Sequence, residues 1–369
     1  MSSKKDKSKN LDKQFMSIAM NLAVDRIGLT GLNPSVGCLI VKNNKILSFG
    51  QTGFNGRPHA ESVAIRKCKK NELIGSSIYI TMEPCTHYGK TPPCTNQIIK
   101  SKIKRVIYSI NDVDIRTSNK ANSVLKLKKV KVTKGILKLE GMKLYNNYLN
   151  HKKKNKPFVV AKIACSSDYY TTSKNKLITN MHSRNVSHFL RYKFDSILVS
   201  SKTINADNSK LTCRLRGLEN HSPKRLIIDK NLKINRNSHV INDNNKKNTI
   251  IFHSSKDKEK IKFFTLKGIK LIYTDLDINN NINLNKVFSK VYNMGIGSII
   301  IEGGKILTKS VLRDKLINEF YLFKSKKKLG NSGKNNISDL KNKLKFLRKR
   351  EKIETFLDGD KITRYHWNV

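Results

Sequence analysis

Four residues in this chain have to meet, and that requirement limits its fold more than any other feature. They are His59 and Glu61 in the run Pro58-His59-Ala60-Glu61, Cys85 in Glu83-Pro84-Cys85, and Cys94 after eight intervening residues. One imidazole and two thiolates fill three corners of a tetrahedral zinc site and leave the fourth open to water, as hydrolysis requires. Zinc brings the pKa of a bound water to about 7, so hydroxide is available at neutral pH. Glu61, two residues beyond the histidine, is placed to act as the proton shuttle. His59 and Cys94 fall at the starts of predicted helices, where free amides and the helix dipole favour a thiolate. Two other readings of these residues stay open: a helix-capping histidine beside inert buried thiols, and a structural zinc site completed by Cys68 or His87. Cys38 and Cys68 lie on apolar faces and are expected in the core.

Periodicity supplies the frame that brings these segments together. Phe15, Ile18, Ala19, Leu22 and Ala23 recur at helical spacing behind Asp12, a candidate N-cap. Residues 36–41 and 46–50 flank an Asn43-Asn44 turn and read as a β-hairpin. Helix is expected over 60–70 and 95–102, and strand over 77–81 and 105–109. That alternation predicts an α/β sandwich. Residues 150–157, NHKKKNKP, are nearly devoid of apolar side chains and mark a boundary. Beyond it the rhythm resumes, with strands over 158–164, 196–200, 225–229, 249–253, 270–273 and 298–301 and helices over 182–192 and 285–293. The expected plan is a disordered basic tail over 1–11, a first domain over 12–150, a linker over 151–156 and a second domain over 157–369. Two domains suit 369 residues, since single cores stop growing below about 300.

The formal net charge of +47 raises the prospect of a polyanionic partner. The lysines are spread over the whole chain beside Asn and Ile, as in 242–248 and 279–286, a pattern that biased codon usage also produces. With 7% aromatics and one Trp there is no aromatic-rich basic patch, so nucleic acid is not an expected partner. A field of this sign favours phosphorylated small molecules. Six cysteines are too few for a disulfide scaffold, and no apolar stretch approaches the roughly 18 residues of a membrane span. A cytoplasmic enzyme with reduced thiols and no membrane partner is expected.

Zinc nucleobase deaminases place H-x-E before P-C-x-x-C, with that glutamate as proton shuttle and not as ligand. Here Asn33-Pro34-Ser35-Val36-Gly37 precedes PHAE, and the cysteines lie in EPCTHYGKTPPC. These motifs resemble the bifunctional riboflavin biosynthesis deaminase and reductase family. The insertion GKTPPC sets that family apart from cytidine and tRNA adenosine deaminases. The resemblance implies a cytidine-deaminase-like α/β/α sandwich followed by a dihydrofolate-reductase-like α/β domain, with zinc and NADPH as cofactors. It also implies that 2,5-diamino-6-ribosylamino-4(3H)-pyrimidinone 5′-phosphate is deaminated and its ribose then reduced, giving 5-amino-6-ribitylamino-uracil 5′-phosphate.

By the same resemblance, Asn33 meets substrate in the first domain. In the second, Lys162, Ser166 and Asp168 fit the opening strand and loop, with Ala164 and Thr171 at the cofactor. Arg191 fits a substrate contact. Thr203 and Asp207 (cofactor) and Leu211 and Arg214 (substrate) fit the pattern TVxxDxPxLxxR, while Glu302 (substrate), Gly303, Gly304 and Leu307 (cofactor) fit EGGxxL. Independently, a strand running into two glycines and a helix offers backbone amides to a phosphate. The chain departs from the family pattern in several places. Tyr169 and Tyr170 stand where a glycine and a basic residue are expected, Leu177 replaces an aromatic, and Ser209 replaces a proline. Asp112-Val113-Asp114 replaces DPN, and Asn119-Lys120-Ala121 replaces GxG. Two functional alternatives stay open: a deaminase whose second domain is a degenerate, structural reductase, and an RNA base deaminase. A homo-oligomer is compatible with either.

Overall fold

A computed structural model describes residues 2–89, 91–173, 177–344, 347 and 349–366. The chain forms two compact units that divide between Asn155 and Lys156. No helix among the described residues is long and apolar enough to cross a membrane.

The first unit runs α1 (Ser2–Arg26), β1 (Gly37–Lys42), β2 (Lys45–Gln51), α2 (Ala60–Lys67), α3 (Lys70–Leu73), β3 (Ser77–Met82), α4 (Cys94–Lys100), β4 (Arg105–Ile110), α5 (Ala121–Leu127), β5 (Lys131–Lys134), α6 (Lys138–Leu144) and α7 (Asn146–Lys154). Its five strands lie in the order β2-β1-β3-β4-β5, with β1 antiparallel to both neighbours and β3, β4 and β5 parallel. Side chains alternate across a strand. Leu39 and Val41 of β1 therefore pack on Phe15, Met16 and Ala19 of α1, while Cys38 and Ile40 pack on Ala60 and Ala64 of α2 and Ile98 of α4. The result is an α/β/α sandwich.

Two boundaries differ from the sequence expectation. Helix α1 starts at Ser2, through the stretch expected to be a disordered tail, so Asp12 is an interior helical residue and not an N-cap. Its buried carboxylate reaches the sheet instead, accepting from the Tyr79 hydroxyl at 2.7 Å and from Arg105 Nη1 and Nη2 at 3.0 and 2.6 Å. Likewise α7 runs on to Lys154, through most of the stretch expected to be a linker, and ends where Asn155 turns left-handed at φ 52°. Asparagine is one of the few residues that adopt that stop readily.

The second unit contains β6 (Phe158–Cys165), β7 (Tyr170–Ser173), α8 (Met181–Tyr192), β8 (Ser196–Ser200), α9 (Ser201–Asp207), β9 (Lys224–Ile228), α10 (His239–Asn242), β10 (Thr249–His253), α11 (Lys258–Leu266), β11 (Lys270–Tyr273), α12 (Leu284–Asn293), β12 (Ser298–Ile301) and α13 (Lys305–Arg313). After these come β13 (Glu319–Lys324), β14 (Gly333–Asn336), α14 (Leu340–Lys343), β15 (Lys349–Lys352) and β16 (Lys361–His366). Nine strands lie in the order β11-β10-β9-β8-β12-β6-β13-β16-β15, parallel as far as β13, with β16 antiparallel to both β13 and β15. One face carries Val287, Phe288 and Val291 of α12 and Val311 of α13, and the other carries Ile204 of α9 and Phe264 of α11. At the edge, all four residues of β15 are exposed. Arg225 of β9 is 1% exposed and is held bidentately by Asp243 at 2.8 and 2.6 Å.

Helix α2, which carries the histidine and glutamate, packs on the hairpin through a glycine. A Cβ on Gly50 would lie 2.1 Å from the Ala60 carbonyl oxygen, a backbone atom that cannot move alone. Gly50→Ala is expected to destabilise the first unit by about 1–3 kcal/mol, read as a lowered midpoint in thermal unfolding.

Candidate active sites

In the first unit, three segments deliver the four residues identified from the sequence. His59 is the extended residue that starts α2, Cys85 follows β3, and Cys94 opens α4 after Pro93. His59 Nδ1 lies 3.3 Å from Cys94 Sγ and 3.6 Å from Cys85 Sγ, and the three ligand atoms fall within 4.8 Å of one another. Nitrogen and sulfur donors on a tetrahedral zinc are separated by about 3.6 Å, so the donor set fits that ion. Cys68 bonds Glu72 and His87 bonds Thr117, and no fourth protein ligand joins the group among the described residues.

Hydrogen bonding with Cys94, then with His59, brings the Cys85 thiol down to about 4, and the Cys94 backbone amide donates to its sulfur at 3.3 Å. The hydrogen bond with Cys85 and burial push the Cys94 thiol up. Glu61 is 4% exposed on the first turn of α2; burial raises its carboxyl and the nearby His59 pulls it back.

Supporting contacts fix the surroundings. Glu83, buried at the end of β3, accepts backbone N–H bonds from Asp112 (3.2 Å), Asn119 (3.0 Å) and Ala121 (3.0 Å). The loop in which this chain departs from the family pattern is thereby tied to the residue two before Cys85. The motif held Glu83 in view, but nothing local announced its three distant partners. Asn33 lies against Gly56, whose Cβ would fall 2.1 Å from the Asn33 amide nitrogen, placing Asn33 beside the segment that leads into His59. Arg57 donates to Thr91 Oγ1 at 2.6 Å and so links that segment to the insertion between the cysteines.

In the second unit the expected residues fall into two groups. Arg191 of α8 grips Glu302 bidentately, Nε to Oε1 at 2.8 Å and Nη2 to Oε2 at 3.0 Å, and its Nη1 donates to the Thr212 carbonyl at 3.1 Å. Lys162 of β6 stands 3.8 Å from the same carboxylate and 4.8 Å from the centre of the Phe323 ring. Arg191 is therefore committed to protein partners, while Arg214 makes no hydrogen bond among the described residues and is open to an anion. His188, one turn before Arg191, is held neutral with its pKa lowered to about 4, by burial first and then by Arg191 and Arg214. The Leu211 side chain is in the core, and its backbone is left-handed at φ 58°.

The second group surrounds the diglycine. A Cβ on Gly304 would sit 4.0 Å from Thr203 Oγ1, so the start of α13 lies beside α9. Gly303 is closed over by Leu307, which would crowd a Cβ at 3.0 Å and is itself a core residue. With β12 running through the diglycine into α13 and no side chain capping that helix, its first backbone amides suit a phosphate-bearing cofactor. Asp207 ends α9 with its side chain exposed. Ala164 lies near the end of β6, and Thr171 lies on β7, donating to the Asn335 carbonyl at 3.2 Å.

Asp168 locks the turn after β6 to the backbone amides of Leu329 and Gly330. Tyr169, where the family pattern has glycine, adopts the left-handed φ of 70° that the turn demands. Lys324 holds it there, 4.2 Å over the ring and 3.1 Å from the hydroxyl.

Comparison with known proteins gives this pair of sites a class. Residues 9–110 match the family model for the cytidine and deoxycytidylate deaminase zinc-binding region, and residues 157–359 match that for the RibD C-terminal domain. The chain is a zinc-dependent deaminase joined to an NADPH-using reductase. The riboflavin biosynthesis protein RibD of Aquifex aeolicus is 31% identical over 325 residues, covering 87% of this chain and 89% of that one. This chain belongs to the RibD family of bifunctional riboflavin biosynthesis enzymes.

Two solved structures agree in fold. The diaminohydroxyphosphoribosylaminopyrimidine deaminase/5-amino-6-(5-phosphoribosylamino)uracil reductase of Thermotoga maritima has a TM-score of 0.79 at 26% identity over 98% of this chain and all of that one. The RibD of Acinetobacter baumannii has a TM-score of 0.82 at 24% identity over 97% and 99% of the two chains.

The Arg191–Glu302 pair makes a pH-dependent prediction. Burial alone would raise Glu302, but the Arg191 guanidinium and the Lys162 ammonium outweigh it and hold the carboxyl at about 2, below its ordinary 4.5. A depressed acid stabilises the fold above its unfolded pKa and loses that contribution as pH falls through the folded one. Glu302→Gln is therefore expected to lower the unfolding midpoint at pH 7, with the gap to the unaltered protein narrowing between pH 4.5 and 2 in circular-dichroism melts.

Proposed function

We propose that the first unit hydrolytically deaminates 2,5-diamino-6-ribosylamino-4(3H)-pyrimidinone 5′-phosphate and that the second reduces the product to 5-amino-6-ribitylamino-uracil 5′-phosphate. The observation that carries the first step is the meeting of His59 Nδ1, Cys85 Sγ and Cys94 Sγ beside a buried Glu61. His59, Cys85 and Cys94 would hold the zinc, which would supply the Lewis acidity that makes water a nucleophile near neutral pH. Glu61 would hold the proton that such a water gives up and pass it to the ring nitrogen and to the departing ammonia. Its burial suits the first half of the task, since a carboxylate whose pKa is raised is a stronger base and takes up a proton more readily near neutral pH. Asn33, beside the loop into His59, orients the pyrimidine.

For the second step, NADPH supplies the hydride that opens the ribose. Ala164, Thr171, Thr203, Asp207, Gly303, Gly304 and Leu307 surround the cofactor, with Leu307 acting through its packing on Gly303. Arg214 receives the substrate phosphate, and the backbone of Leu211 together with Arg191 and Glu302 shapes the rest of the pocket. The cytoplasm is the proposed location, a reading supported by Cys38, Cys68, Cys85, Cys94 and Cys213, which form no disulfide among the described residues.

The Glu61→Gln variant is expected to retain zinc and to release no ammonia from the diaminopyrimidine phosphate. Deamination at the unaltered rate would show that another group moves the proton. Metal analysis should find about one zinc per chain, lost on Cys94→Ala. Supplying the same substrate with and without NADPH and following both products separates an active second unit from a structural one.

A further inference from the structure

The loop that carries Asn33 is held by a tyrosine that belongs to none of the sequence motifs. Tyr145 lies at the junction of α6 and α7 and is 2% exposed. Its hydroxyl donates to the Ser35 carbonyl at 2.8 Å and also meets Thr81 Oγ1 on β3. The Gly37 amide in turn donates to Thr81 Oγ1 at 3.0 Å. A carbonyl oxygen only accepts, so the tyrosine hydrogen points at Ser35 and the threonine hydrogen points at the tyrosine. The direction of each bond is therefore fixed, from the Gly37 N–H to Thr81, from Thr81 to Tyr145, and from Tyr145 to the Ser35 carbonyl. The ring closes on the loop where it began.

The rest of that loop is pinned as well. The Val36 amide donates to Thr52 Oγ1 and the Val36 carbonyl accepts from the Thr52 amide, at 2.9 Å each, and Ser35 Oγ donates to the Ala23 carbonyl at 2.5 Å. The Asn33 carbonyl accepts from the Thr30 hydroxyl at 2.7 Å, and the Asn33 amide N–H donates to the Thr30 carbonyl at 3.1 Å. The side-chain amide of Asn33, by contrast, makes no hydrogen bond among the described residues. The backbone around Asn33 is committed to protein partners, and its side chain is left for a ligand.

Two observations tie the ring to the reaction. Thr81 stands four residues before Cys85 on the strand that leads to that zinc ligand, so the ring joins the loop bearing Asn33 to the metal-binding group. Burial pushes the Tyr145 phenol above its ordinary range, against the bond from Thr81, and the charge of Glu61 adds to the rise, so the hydrogen stays on the oxygen and the ring lies within reach of the proton shuttle's field. In a buried network of this kind, removing one member leaves the others unpaired. We infer that Tyr145 is a positioning residue for the deamination, its hydroxyl fixing the Asn33 loop against β3 and so setting where the Asn33 amide meets the pyrimidine. Its two partners lie 64 and 110 positions away, beyond the reach of any spacing rule. The inference rests on the reading of the first unit as a deaminase with Asn33 at its substrate.

The test is steady-state ammonia release from the diaminopyrimidine phosphate by the full-length zinc-loaded protein, at a temperature below the unfolding midpoint of every variant. Tyr145→Phe is expected to raise KM about tenfold with kcat within about threefold and zinc retained, the pattern of lost substrate binding with the chemistry intact. Thr81→Val is expected to do the same, and Thr81→Ser, which keeps the hydroxyl, to hold KM within about twofold of the unaltered protein. Tyr79→Phe removes another buried hydroxyl from β3, one bonded to Asp12, and is expected to lower the unfolding midpoint without moving KM. An unaltered KM in Tyr145→Phe, an equal rise in Tyr79→Phe, or a rise accompanied by loss of zinc overturns the inference and leaves the deaminase reading standing. Should Tyr145→Phe fail to fold, the Thr81 pair decides, and equal KM values for the valine and serine variants overturn the inference. Failure of the unaltered protein to release ammonia overturns the deaminase reading and the inference with it.

Discussion

The carboxylate of Glu83 is the point on which the first site turns. It sits at the end of a buried strand, two residues before Cys85, and gathers three amides from the loop that follows the next strand. A carboxylate buried there without donors would be costly, and so would three orphaned amides, so the strand end and the loop stabilise each other only as a pair. That arrangement fixes where the chain leaves the sheet and hence where Cys85 meets His59 and Cys94. The hairpin sets the remaining coordinate by admitting α2 at backbone contact through Gly50. The site is thus built from sheet geometry, and its ligands occupy positions the fold has already defined.

How much of this was legible in the sequence depended on the range of the interactions. Zinc chemistry demands fixed residue types in a fixed order, and His59, Glu61, Cys85 and Cys94 announced themselves for that reason. Asp12 was misread because capping is a local preference, whereas its actual partners, Tyr79 and Arg105, lie 67 and 93 positions away. The bond from Arg191 to Glu302 spans 111 positions, and no spacing rule reaches that far. The run over β13 is a short apolar stretch of the kind periodicity alone does not assign, and only its place between β6 and β16 makes it a strand. Tyr169 shows the same limit from the other side. The need for a left-handed residue was visible in the family pattern, but the lysine that holds a tyrosine in that conformation was not.

A second regularity concerns how so basic a chain uses its acids. With 74 lysines and arginines against 27 aspartates and glutamates, carboxylates are the scarce partner. Asp12, Asp243, Glu302 and Glu319 are each held bidentately, by Arg105, Arg225, Arg191 and Arg364 respectively. The planar guanidinium fork matches a carboxylate with two parallel bonds, which a lysine cannot do. Arginine thus holds these four shielded carboxylates, while lysine pairs such as those of Lys286 with Asp275 and Lys326 with Asp358 lie exposed.

That surplus has a use at the margin of the larger sheet. Strand β15 is Lys-Arg-Glu-Lys, fully exposed, and it ends a ladder of nine strands whose backbone groups would otherwise invite another strand to pair. A copy of the same segment would bring lysine against lysine at strand spacing, and such edges are poor templates for aggregation. A composition that looks like genomic drift along most of the chain acts here as a guard on solubility.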